Sequence, residues 1–228
     1  MSDLLRLHYA PDNASLCVRL ALEELALPYQ TVLVDRGTAQ QKSDSYLKLN
    51  PNGLIPTLET PQGPIFETAA ILIWLADREG RLLPPVASPE RAHAMQWMVW
   101  LANTLHVTLR MLFYPDQYVA GDTADLHARA KERLVQQLDI LEDAPTARWL
   151  ETAEASAQGC YLGPMLRWAA LYGGGPAWFA LQHWPRLHDF ARRAELRPAV
   201  MQAAMAEGLG PTPFTNPHSC NPPEGRAL

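Results

Sequence analysis

Up to Gly80 the sequence alternates strand-like and helix-like stretches, and beyond Gly80 no strand pattern appears. That change of period dictates two differently built units rather than one uniform fold. Leu4 to Tyr9 is a short apolar run stopped by Pro11 and predicts a buried strand. From Ala14 to Leu25 apolar residues recur at helical spacing (Cys17, Ala21, Leu25; Val18, Leu22), with Glu23 and Glu24 on the wet side. Asn13 stands where an N-cap belongs. Tyr29 to Val34 is rich in β-branched and apolar residues and predicts a second strand. Strand, helix, strand is a βαβ unit, so these two strands should run parallel. Residues 36–48 are polar and fit neither pattern. Ile55 to Thr60, the turn Pro61-Gln62-Gly63-Pro64 and Ile65-Phe66 predict an antiparallel hairpin, and Thr68 opens an apolar helix to about Arg78.

The second unit starts after a proline-rich stretch, Leu83-Pro84-Pro85-Val86-Ala87-Ser88-Pro89. Helical periodicity then predicts one long helix from Glu90 to about Phe113 and another from about Thr123 to Glu142, striped by Leu126, Ala130, Leu134, Leu138 and Leu141. Further helices are expected at 156–172, 185–194 and 198–207, with Pro185 at a first-turn position. The expected organisation is an α/β unit at residues 1–80, a linker at 81–89, an all-helical unit at 90–207 and an irregular tail at 208–228.

Composition removes several function classes. With 48% hydrophobic and 19% charged residues in 228, the chain can bury a core and is not of the disordered type. Its net charge of −5 argues against nucleic acid as a partner, because phosphate contacts need a Lys/Arg surplus. The longest apolar runs, such as Ala69 to Ala76, fall short of the roughly 20 residues of a membrane span. No basic stretch followed by an apolar one marks the N-terminus, so no secretory signal is expected. Cys17, Cys160 and Cys220 are an odd, scattered set that suits a reducing cytoplasm better than a disulfide framework. The seven histidines show no paired ligand spacing, so no metal site is expected. Gly173-Gly174-Gly175-Pro176 follows a helix rather than a strand and reads as a loop, not a phosphate cradle.

Two segments carry chemistry. In Asn50-Pro51-Asn52-Gly53-Leu54-Ile55-Pro56-Thr57-Leu58 a turn leads into a strand whose second residue is proline, which belongs at an edge or a start. A cis Ile55–Pro56 bond would turn the Ile55 N–H and C=O outward to pair with an extended, peptide-like ligand; an ordinary trans proline is the alternative. In Glu67-Thr68-Ala69-Ala70-Ile71, a threonine at a helix N-terminus offers a hydroxyl and unpaired N–H groups to a carboxylate, and Glu67 offers its own carboxylate to an ammonium. Together they suit the α-amino acid end of a ligand, and a plain capped helix is the alternative.

Taken in order, the first strand with its polar turn, the Asn-Pro-x-Gly-x-Ile-Pro-x-Leu run, the Glu-Thr-x-Ala-Ile run and the proline linker resemble the cytosolic glutathione transferases. The turn Tyr9-Ala10-Pro11-Asp12-Asn13-Ala14-Ser15-Leu16 is most similar to the bacterial beta-type members, and the stretch from Leu105 to Pro115 resembles the first long helix of their helical domain, with His106 as its histidine facing the glutathione site. The resemblance implies a thioredoxin-like N-terminal domain followed by an all-α domain. It implies glutathione as co-substrate, a small hydrophobic electrophile as second substrate, a cytoplasmic homodimer and a detoxification role, with no metal. Residue by residue, it puts Ile55 on the cysteinyl amide with Pro56 cis, and Glu67 and Thr68 on the γ-glutamyl end. Tyr9, Asn13, Ser15 and His106 would surround the sulfur, and the loop with Arg36, Gln40, Gln41 and Lys42 would reach the glycyl carboxylate.

The implied chemistry is thiol activation. A free thiol with a pKa of about 8.5 is mostly protonated at neutral pH, and lowering it by about two units needs about 2.7 kcal/mol. One hydrogen bond to a charged group, about 1.5–3 kcal/mol, nearly supplies that. Beta-type members carry a cysteine where this chain has Ala14, so a mixed disulfide through that position is absent and Cys17 reads as structural. Ser15 is then the first choice of donor and Asn13 the second; Tyr9 also reads as packing and His106 as a satisfied helix histidine. Met111, Tyr114, Trp168, Tyr172 and Phe214 would line the electrophile pocket or simply fill the core. The family's Ser/Thr-x-x-Asp capping box survives only as Ser156-Ala157-Gln158-Gly159, without its carboxylate. Two other functions share this frame: glutathione-dependent reduction of disulfides or peroxides, and a non-catalytic binding module.

Overall fold

The computed structural model describes residues 4–172 and 178–227, so the Gly173–Pro176 run lies outside the described residues. Four short strands form one mixed sheet in the order β2-β1-β3-β4: β1 (Leu5–Tyr9), β2 (Tyr29–Leu33), β3 (Thr57–Thr60) and β4 (Gly63–Phe66). β1 and β2 run parallel, in register from Leu5 opposite Tyr29 to Tyr9 opposite Leu33, joined through α1 (Ser15–Glu24). β3 is antiparallel to β1, with His8 opposite Thr57, and forms the hairpin with β4. The polar stretch after β2 becomes two 3₁₀ turns, Arg36–Thr38 and Gln40–Lys42, and a one-turn helix α2 (Asp44–Leu47). The first unit closes with α3 (Thr68–Glu79), ended by Gly80 in the left-handed region at φ 64°.

The remaining helices are α4 (Glu90–Trp100), α5 (His106–Phe113), α6 (Ala124–Glu142), α7 (Ala157–Tyr172), α8 (Pro185–Glu195) and α9 (Pro198–Glu207). The expected long helix from Glu90 to Phe113 is continuous but passes through a π-helical segment at Leu101–Leu105, which the apolar spacing does not announce. Leu101, Leu105, Leu109 and Leu112 are all buried along this stretch. α7 is buried along most of its length even though Pro164 interrupts its hydrogen bonding. α1 is buried from Ser15 to Leu22 because it packs on β1 and α3 and also on α7 and α9. Its N-terminus is therefore held by both units, and this places the candidate site.

One local expectation is corrected and another holds. Asn13 is not the N-cap of α1: Ala14 holds that position without a side-chain cap, and the Asn13 amide is engaged elsewhere. At the start of α7 the Ser156 hydroxyl accepts from the Gly159 N–H at 3.0 Å, so the serine half of the capping box works. A Cβ at position 159 would sit tightly, 3.1 Å from Ser156 Oγ and 3.2 Å from the Phe190 ring. Among the described residues no helix is long and apolar enough to cross a membrane.

Candidate glutathione site

The segment leading into β3 is prepared within a few residues of itself. Asn50 accepts from the Asn52 N–H at 3.0 Å and donates from Nδ2 to the Leu54 carbonyl at 2.8 Å. The Tyr46 hydroxyl donates to the same carbonyl at 2.8 Å. Gly53 has a φ of +59°, and a Cβ there would lie 2.8 Å from the Gln41 carbonyl oxygen, so only glycine fits the corner. The Leu54 peptide is thus fixed, and the next bond, Ile55–Pro56, is cis. Among the described residues the Ile55 N–H and C=O have no hydrogen-bond partner. Beside this strand start, α3 presents its first turn. Glu67 is exposed and holds a φ of 70°, a region non-glycine residues seldom enter, while the following Thr68 is buried.

The turn before α1 is built differently. Ser15 is fully buried, and its Oγ donates to the Ala10 carbonyl at 3.1 Å, so this hydroxyl ties the turn together. Asp12, also buried and at a φ of 53°, receives a two-pronged contact from Arg167 of α7 at 2.8 and 2.9 Å. The indole of Trp168 donates to it at 2.9 Å, and the hydroxyl of Tyr172 donates as well. The Asp12 N–H donates to Glu207 of α9 at 2.8 Å, and that carboxylate also takes the Arg19 Nε at 2.7 Å. Two buried ion pairs therefore tie the turn to the helical unit; each is held by further hydrogen bonds, which a buried charge requires.

The outer face of the turn meets the tail. Tyr9 is buried, with Arg19 over its ring at 4.8 Å and its hydroxyl donating to Glu224. Burial, then Glu224, pushes the Tyr9 phenol far above its ordinary value. Asn13 donates from Nδ2 to the Pro11 carbonyl at 2.8 Å and the Ala227 carbonyl at 2.9 Å, and its Oδ1 accepts from Arg36 at 3.0 Å. His106 sits apart from this turn. Its Nδ1 pairs with the Tyr161 hydroxyl at 2.9 Å and its ring stacks on Trp168, 5.8 Å between centroids. Burial, with Arg110 nearby, lowers its pKa to about 4, so it is neutral at physiological pH. Cys17 is buried and burial raises its thiol pKa, which fits a structural residue. Of the expected electrophile-pocket residues, Trp168 and Phe214 are core, and Phe214 packs on Gly163, 3.0 Å from where a Cβ would stand. Tyr114 is partly exposed and its hydroxyl lies 3.4 Å from Arg36.

A sequence model described as the N-terminal domain of glutathione S-transferases matches residues 14–78. The chain is 30% identical over 212 residues to glutathione S-transferase GST-4.5 of Xanthomonas campestris pv. campestris, covering 90% of this chain and 100% of that protein. This chain belongs to the glutathione S-transferase family. It is also 26% identical to the disulfide-bond oxidoreductase YfcG of Escherichia coli K12, over 91% of this chain and 97% of that one. Among solved structures, a glutathione transferase homologue from Sulfitobacter with bound glutathione superposes with a TM-score of 0.75 at 27% identity, covering 88% and 97% of the two chains. The beta-class enzyme of Sphingomonas chungbukensis superposes at 0.72 and 26% identity, over 89% and 98%. The mixed four-stranded domain followed by a helical domain is the architecture of these transferases.

Sequence reasoning missed the residues that reach the turn from afar: Arg167, Glu207, Glu224 and Ala227. Only Asp12 carried a signal, as a carboxylate inside a tight Pro-Asp-Asn turn where few residues are tolerated. Arg36, expected in the loop that would reach the glycyl carboxylate, has its guanidinium beside Asn13.

Proposed function

We propose that this chain binds glutathione and activates its thiol for attack on a hydrophobic electrophile. One observation carries the reading: the N–H and C=O of Ile55, unpartnered among the described residues and ahead of the cis Pro56, open beside the first turn of α3. An extended tripeptide would pair its cysteinyl amide with Ile55. Its α-carboxylate would take the Thr68 hydroxyl and the free N–H groups of α3, and its ammonium would take the Glu67 carboxylate. The sulfur then falls near the N-terminus of α1, where the positive end of the helix and the Asn13 amide favour the thiolate. The thiolate forms the new C–S bond while the leaving group departs with its electron pair. Ser15 supports the turn in this reading, since its hydroxyl is already bonded to Ala10. Tyr9 orders the turn from behind, and neutral His106 acts on it only through Trp168 and Asp12. A homodimer and a role in detoxification belong to the same proposal.

Calorimetric titration with glutathione followed by a chloronitrobenzene conjugation assay on the same sample tests it. Binding with turnover is expected, and absence of binding at millimolar glutathione would overturn it in favour of a non-catalytic module. The likeness to YfcG favours one second reading. Because position 14 is alanine, disulfide reduction would use two glutathiones. The first thiolate displaces one half of the substrate disulfide, and the second displaces the other half to give oxidised glutathione. Turnover of a disulfide with inert chloronitrobenzene would select that route.

A further inference from the structure

The most informative contact outside the reading above is made by the chain on itself. The carbonyl oxygen of Ala227 lies between two donors, 2.9 Å from Asn13 Nδ2 and 2.8 Å from Arg36 Nη1. The two donors are also joined to each other, with Arg36 Nη1 donating to Asn13 Oδ1 at 3.0 Å. This contact orients the amide so that its NH₂ group and the guanidinium converge on one point. Gly225 makes the approach possible: a Cβ there would lie 2.6 Å from Leu33 and 3.2 Å from Pro11, at a φ of +75°. Arg36 has no carboxylate partner among the described residues, so its charge is balanced only by neutral oxygens of Asn13, Ala227 and Tyr114. The other titratable groups around the turn are Tyr9, Arg19, Glu207, Glu224, Tyr114 and, beside Gly37, Arg226, while the Asp12 carboxylate is turned to Arg167.

We propose that Asn13 and Arg36 form a two-donor seat for the reacting sulfur anion, that Arg36 is a further catalytic residue, and that the Ala227 carbonyl is the seat's internal occupant. This rests on the glutathione reading. The sulfur anion is a better acceptor for a guanidinium than a neutral carbonyl, because charge-assisted hydrogen bonds are the stronger kind. Binding of glutathione displaces residues 224–227, and the seat exchanges a backbone oxygen for the thiolate. The displacement lowers the apparent affinity by the fraction of chains whose seat is taken.

The test follows the thiolate absorbance of bound glutathione against pH, together with affinity, in four chains and one further tail variant. These are the natural protein, Arg36→Gln, Arg36→Lys and a chain ending at Pro223. Gly225→Ala serves as a second way to push the tail off without deleting it. Arg36→Gln is expected to raise the thiol midpoint by about one pH unit, with Arg36→Lys restoring most of it. Both tail variants are expected to bind glutathione at least about threefold more tightly. The glycyl ethyl ester of glutathione separates the alternative role of Arg36 as a carboxylate ligand. If Arg36→Gln leaves the midpoint unchanged, weakens glutathione and leaves the ester unaffected, Arg36 holds the carboxylate and the proposal falls. Equal affinity of the tail variants and the natural protein would remove the internal occupant. Failure of every chain to bind glutathione would overturn the functional reading and this proposal together, whereas binding without these differences sinks only the proposal.

Discussion

The two sides of the candidate site are held in opposite ways. The Ile55 side is fixed by its own neighbourhood: Asn50, Asn52, Gly53 and Tyr46 lie within about one turn and one short helix of it. The α1 turn is fixed from across the chain. Asp12 meets Arg167 at a sequence separation of 155 and Glu207 at 195, and Asn13 meets Ala227 at 214. The first arrangement is assembled when a short segment folds; the second exists only once both units and the tail have packed. In the proposed reading, the scaffold for the peptide part of glutathione is thereby local, while the surroundings of its sulfur are set by the whole molecule.

Removing a far partner should therefore damage the fold most. Arg167→Ala strands the fully buried Asp12 carboxylate and is expected to cost about 3–5 kcal/mol in urea unfolding. A loss below about 1 kcal/mol would show that the turn does not depend on its distant clamp. The next largest effect is a pH dependence on the same side. His106 has its pKa lowered to about 4 from 6.5 by burial, so the unfolded chain binds its proton more readily. Stability from this group is complete above about pH 6.5 and is lost as pH falls through about 4, by up to about 3 kcal/mol. His106→Gln should flatten that slope between pH 6.5 and 4, and an unchanged slope would assign it to other groups. The smallest effect on stability belongs to the near side. Asn50→Ala leaves the Leu54 carbonyl its Tyr46 partner and should cost about 1 kcal/mol, yet weaken glutathione about tenfold by freeing the Ile55 peptide. Equal losses in stability and affinity at all three positions would erase the contrast between the two sides.

The same contrast explains what the sequence discloses. The sheet with its βαβ unit, the hairpin and most helices follow from period and turn residues, which act over a few positions. The Asn50–Pro56 and Glu67–Thr68 segments were legible for the same reason, since a glycine corner, a proline at a strand start and a helix N-terminus are all local. The π-helical segment at Leu101–Leu105 was not, because its apolar residues fit an unbroken α-helix equally well. Nor was the orientation of Ser15 and Asn13. Both are short polar residues at a helix start, and which one faces outward depends on Arg36 and Ala227, which no local pattern announces.

The clamp on Asp12 also bears on attempts to study the two units as separate fragments. An isolated piece ending near Gly80 would carry Asp12 at its positive φ with no guanidinium, no Trp168 indole and no Glu207 to receive its N–H. The complementary piece would bury Arg167 with no carboxylate beside it and leave Glu207 without Arg19. Each fragment would inherit one half of each of two charge pairs that are neutral only when joined, so severing the linker dismantles the turn before α1 first.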